Sequence, residues 1–125
     1  ETDGRLPSGQ PLLEAMREVD EEASGGPAYF MINCAHPEHF LPYLQDNLDA
    51  AKRIVGVRAN ASRLSHAELD EAETLDEGDP VELAGLHVEL QAHLPNLRVF
   101  GGCCGTDHRH IEAIAGACLG CCAAA

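Results

Sequence analysis

Apolar residues along this 125-residue chain fall into two alternating patterns. The first is helical. Leu12, Leu13, Met16 and Val19 recur at three- and four-residue spacing and predict a helix from Pro11 to about Ala23. Ser8 stands where it can cap that helix, and Pro11 suits its first turn. Ser24-Gly25-Gly26-Pro27 stops it. The second pattern is continuous. Ala28-Tyr29-Phe30-Met31-Ile32 is an apolar run of strand length, which reads as a strand buried on both faces, as in a parallel sheet.

The alternation then repeats. Phe40, Leu41, Leu44 and Leu48 predict a helix to about Ala51, and Arg53 to Val57 a second strand followed by a polar turn over Arg58–Ser62. Ser65 to Leu75 reads as a short acidic surface helix. Asp79 can cap a further helix with Pro80 at its first position and Val81, Leu83, Leu86, Val88 and Leu90 along it, ended by Pro95. Leu97 to Phe100 is the third strand. Asp107 caps a last helix with Ile111, Ile114 and Ala115 inward, and the small apolar tail from Cys118 to Ala125 carries no assignment. Short apolar strands separated by helices imply βαβ units, a parallel sheet and right-handed crossovers.

Each strand empties into reactive or polar residues: Cys34 after the first, Asn60 after the second, Cys103 and Cys104 after the third. Sites in parallel α/β folds form at the carboxyl ends of strands, so strand phase alone puts three thiols on one rim. Three thiolates with one open position make a catalytic zinc site. Gly101, Gly102 and Gly105 give the bend that lets adjacent cysteines reach one metal. Such a metal is a modest Lewis acid that binds a substrate thiol as its thiolate. Other readings stand beside this one. Cys34 taken alone is a small buried apolar residue. Cys103 and Cys104 taken alone are a redox pair, which leaves Cys34 without a role. His36, His39, His108 and His110 are metal ligands, substrate-orienting groups or, the reading preferred here, exposed helix-entry residues. Cys118, Cys121 and Cys122 have nothing upstream to pair with, and the acidic stretch from Glu68 to Glu82 is a solvated face.

Composition narrows the partners. Eight Lys and Arg stand against 21 Asp and Glu, a net charge of −13, which repels nucleic acid and anionic membranes alike. No apolar run approaches the roughly 20 residues of a membrane span, and no signal peptide is visible. With 4% aromatics and no Trp, the core must be aliphatic. Six cysteines, four of them in two adjacent pairs, do not resemble a disulfide framework. They fit metal or thiol chemistry in a reducing compartment, the cytoplasm.

Asn33-Cys34 after a strand, Arg58-Ala59-Asn60-Ala61-Ser62 after the next and Gly101-Gly102-Cys103-Cys104-Gly105-Thr106 after the last resemble the homocysteine S-methyltransferase family. The likeness runs to about Ala117. It implies a (β/α)8 barrel of which this chain, as one partial domain over residues 1–125, holds the C-terminal half with strands six to eight. Residues 1–7 would be the loop after an absent fifth strand. It implies Zn2+ on Cys34, Cys103 and Cys104, Asn60 near the substrate, and methyl transfer to homocysteine to give methionine. The small-molecule partners would be homocysteine and a donor such as S-methylmethionine, betaine or a methylated corrinoid or folate. An oligomer is possible, since half a barrel leaves strand edges open. The rival readings are an inactive zinc-binding fragment and a thiol redox protein.

Overall fold

A computed structural model describes the backbone of residues 1–122 and the side chains of residues 1–120. The elements in order are α1 (Leu12–Glu22), β1 (Phe30–Ala35), α2 (Pro37–Gln45), α3 (Leu48–Ala51), β2 (Ile54–Ala59), α4 (His66–Glu71), α5 (Pro80–His93), β3 (Val99–Gly102) and α6 (His108–Cys122). The sheet has the order β1-β2-β3, with both pairings parallel. This is an α/β architecture consistent with part of a (β/α)8 barrel. Among the described residues no helix is long and apolar enough to cross a membrane.

The helix caps follow the residue chemistry at most sites. Asp79 accepts from the amides of Val81 and Glu82 and starts α5 with Pro80 at its first position. Ser65 and Glu68 form a reciprocal capping box on α4. Asp107 accepts from the amide of Arg109 at 2.9 Å. At α1 the expected cap fails: Pro11 takes the cap position with no side-chain bond, and Ser8 Oγ accepts only from Gln10 N at 3.4 Å. The second expected helix divides into α2 and α3, which leaves Leu48 46% exposed.

All three strands run about two residues further than apolar runs indicate. Asn33 pairs with Arg58, Arg58 with Gly101, and Ala59 with Gly102. Backbone pairing continues under polar side chains and glycines that read as turn. Cys34 and Arg58 therefore lie within strands, not after them.

The core sits between one sheet face and the helices. Ile32, Leu44, Ile54, Val57, Leu90 and Leu97 are buried there, and α5 packs against both α6 and α2. The other sheet face is open, so the expectation of burial on both faces does not hold: Met31 is 42% and Val99 43% exposed. In α6 the inward row is His110, Ile114 and Cys118, one helical turn apart. Ile111 and Ala115, expected inward, are exposed. Cys118 is thus a core residue within α6 rather than part of an unassigned tail.

Candidate metal centre

Cys34 is the residue left over where the β1–β2 register slips between Asn33 and Ala35. It has φ 61°, the only positive value at a non-glycine among the described residues. In a regular strand Cys34 would share the helix-facing side with Ile32. The bulge re-aims it. The left-handed conformation costs an L-residue about 1–2 kcal/mol, so the surrounding structure must hold it there.

Cys103 and Cys104 leave the end of β3 and are pinned by β2. Cys103 N donates to Ala59 O at 2.7 Å, and Ala61 N donates to Cys104 O at 3.0 Å. Thr106 Oγ1 caps Cys103 O at 2.7 Å. That hydroxyl lies where a side chain on Gly102 would be. Gly105 turns with φ 77°, and a Cβ there would run into the carbonyl of Asp76. The glycines thus serve as expected, but through close approach as much as through bending. The loop that closes over Gly105 is itself fastened. Ser62 Oγ donates to Asp76 at 2.5 Å, and Arg109 pairs with Glu77 at 2.7 Å. Arg63 bridges Glu38 on α2 and Glu82 on α5. The acidic stretch is therefore not wholly a solvated face.

Asn60 is 2% exposed and joins the two halves of the centre. Its Nδ2 donates to Cys34 O at 3.1 Å, and its Oδ1 accepts from Cys104 N at 3.2 Å. Its own amide donates to Ala35 O at 3.1 Å. Both ends of the side-chain amide are engaged by backbone, so it fixes cysteines rather than reaching into a cleft.

The result is convergence. Sγ of Cys34 lies 2.6 Å from Cys103 and 3.6 Å from Cys104, with 4.0 Å between Cys103 and Cys104. Two sulfurs on one tetrahedral zinc with 2.3 Å bonds stand roughly 3.8 Å apart. Two pairs already fit, and Cys34 and Cys103 need to separate by about 1 Å. Burial, then the hydrogen bonds and charges of Cys103 and Cys104, push the Cys34 thiol up to about 12. Burial would raise Cys103 also, but hydrogen bonds from Cys34 and from the Cys104 amide hold it below the usual thiol range. Three crowded thiols cannot all ionise without a cation among them. The donor set therefore fits a soft divalent metal, and these three residues are positioned to hold one.

A sequence model of homocysteine S-methyltransferases matches residues 1–118. The chain belongs to the homocysteine S-methyltransferase family. Neither a curated protein nor a solved structure matches it. The matched region of this homocysteine S-methyltransferase family domain contains Cys34, Asn60, Cys103 and Cys104.

The histidines stay outside the triad, which is the one group of metal-ligand type among the described residues. Against expectation, two of the four are buried and His39 is half-buried. His36 is 2% exposed, and its Nδ1 accepts from Glu38 N at the start of α2. His110 is fully buried against Glu77 O at 2.8 Å. His39 bonds Arg63 O at 2.9 Å, and His108 is exposed. A second site on the tail cysteines gains nothing from Cys118, which is buried in the core; the side chains of Cys121 and Cys122 lie outside the described residues. Sequence reasoning missed Arg58 as a residue of the site. Its place beside Asn33 and Gly101 depends on strand register, which local patterning does not show.

Proposed function

We propose that this chain carries the zinc-thiolate centre of a methyltransferase that moves a methyl group onto the thiol of homocysteine and forms methionine. The observation that carries the reading is the convergence of three thiols drawn from β1 and the β3 loop, on a chain of this family. Cys34, Cys103 and Cys104 would hold the zinc. When bound, zinc supplies acidity: it lowers the pKa of a substrate thiol and keeps it ionised near neutrality. The chain's own part is positional. Asn60 and Ala61 fix the backbones of Cys34 and Cys104, and a cleft of ≈ 190 Å³ reaches Cys34 between Asn33, Phe40 and His66. In the transfer, the substrate sulfur forms a bond to the methyl carbon. The bond from that carbon to the donor breaks, and its electron pair leaves with the donor. Asn60 serves substrate binding through the ligands it positions. We read the sheet as strands six to eight of a (β/α)8 barrel, working in the reducing cytoplasm on small molecules.

One observation favours a second reading. The 2.6 Å approach of Cys34 to Cys103 suits a redox thiol pair, which would purify without zinc. The reduced chain should instead bind one zinc per chain, and homocysteine plus a suitable methyl donor should give methionine. Cys34→Ala should lose both, because two thiolates and a water hold zinc far less well. Full retention of zinc and of methionine formation in Cys34→Ala would overturn the three-thiolate centre. Zinc without methionine formation in the parent chain would reduce the reading to a metal-binding domain.

A further inference from the structure

Arg58 is a cation without a carboxylate partner, and its charge acts on the Cys103 thiol instead. Of the eight Lys and Arg side chains, six lie within ion-pair distance of a carboxylate. Among the described residues only Arg58 and Arg98 do not. Arg98 turns its guanidinium onto the carbonyls of Pro95 and Leu97 and precedes β3, at the end of that strand opposite Cys103. Arg58 is different in place. It lies on the open face of the sheet, in register with Asn33 on one side and Gly101 on the other. Its Nε donates to the carbonyl of Gly102, the residue before Cys103, at 3.1 Å. Its Nη1 donates to Asn33 Oδ1, beside Cys34, at 3.1 Å. The guanidinium thus spans the strands that deliver the two parts of the triad, and Asn33 lines the cleft that reaches Cys34.

Those two bonds use two of the five N–H donors of the guanidinium, and Nη2 is left with both of its own. The side chain is exposed, and its Cγ lies over Gly101, where even a Cβ would meet it only at an ordinary contact distance of 3.8 Å. In a chain with 21 acidic residues, a carboxylate partner would have been easy to supply. The two neutral acceptors aim the fork without neutralising it, as suits a site that takes its anion from outside.

We propose that Arg58 binds the carboxylate of a small substrate at the cysteine centre. This rests on the methyltransferase reading above, in which acceptor and donor can both carry a carboxylate. The chemistry is shared, and the source is either the thiol acceptor or the methyl donor. An exposed arginine–carboxylate contact favours the carboxylate-bearing ligand by up to about fivefold.

The test uses the reduced, zinc-loaded chain and two ligand pairs in calorimetric titration. The first pair is homocysteine and 3-mercaptopropylamine, which share thiol and amine but differ in carboxylate. The second is a thiol-free sulfonium carboxylate and trimethylsulfonium. In the parent chain the carboxylate member of one pair should bind about three- to fivefold tighter, and that pair identifies the source. In Arg58→Gln the advantage should collapse toward unity while the carboxylate-free member binds as before. Arg58→Lys should restore part of it, which a mere strut between strands would not do. Unfolding midpoints check that the variants fold. An advantage unchanged in Arg58→Gln, or absent from both pairs in the parent chain, would overturn the assignment. Failure of the methyltransferase reading looks different: neither thiol would bind the zinc-loaded chain, and cobalt-substituted chain would show no new thiolate charge-transfer band. The sulfonium pair would still report on Arg58.

Discussion

At Cys34 a positive φ of 61° and a register slip turn a core-facing strand position into one that faces Cys103 and Cys104. Nothing about Cys favours that conformation, so bonds from elsewhere must impose it. Asn60 supplies one to Cys34 O and a matching one to Cys104 N. Asn60→Ala removes both and leaves a part-buried carbonyl and a part-buried amide with less to bind. Each such group, reachable by water, costs less than the roughly 1–3 kcal/mol of a fully buried one. Bonds that orient ligand residues are worth about 10–100-fold in metal affinity. Asn60→Ala should therefore unfold at lower denaturant and give up zinc to a chelator more readily, by a factor in that range. A chelator competition curve that overlays the parent's would show that Asn60 does not position the ligands.

At the scale of elements, α2 begins on a titratable cap. His36 is buried and uses Nδ1 as an acceptor, which requires the neutral ring. Burial, then the charge of Arg63, lowers its pKa to about 4, against an opposing pull from Glu38. His87 on α5 is shifted the same way by burial. A histidine whose folded pKa is depressed stabilises the fold above its unfolded value of about 6.5. That stabilisation is lost as pH falls, because the unfolded chain takes up the proton first. Stability of the reduced, metal-free chain should hence decline from about pH 6.5 toward pH 4. His36→Asn keeps an N-cap acceptor that does not titrate. Urea midpoints at pH 7 and pH 5 should differ less in that variant, with His87 providing the remainder. Equal differences in variant and parent would remove His36 from the pH response.

The whole molecule has a covered sheet face and an open one. Among the described residues, β1 and β3 each pair along one edge only. Beside β3 an apolar groove of ≈ 800 Å³ is lined by Val99, Phe100, Ile111, Ile114 and Leu119, and none of Cys34, Cys103 and Cys104 lines it. Open apolar faces and unpaired edges favour association. The −13 charge opposes it, and salt screens that repulsion. The chain should therefore self-associate at micromolar concentration, more strongly as salt rises. Sedimentation showing one monomer across concentration and salt would contradict this.

The residues alone determined the α/β class of the fold and the thiol character of the centre. Apolar runs and caps specify three parallel strands and their helices because burial period and capping bonds are local. Gly102-Cys103-Cys104-Gly105 announces a metal or thiol site because adjacent thiols between glycines fill a core badly. Other features were beyond local patterning. The strands outrun their apolar segments because pairing is a contract between backbones distant in sequence. Ser8 does not cap α1, and His110 rather than Ile111 faces inward, because packing against neighbouring elements sets the entry and rotation of a helix. Asn60, which reads as a substrate contact, is consumed by two backbones that only the fold brings together. The bulge at Cys34 and the unneutralised Arg58 between Asn33 and Gly102 belong to the tertiary structure for the same reason: each depends on the register of one strand against another, and register is a long-range property.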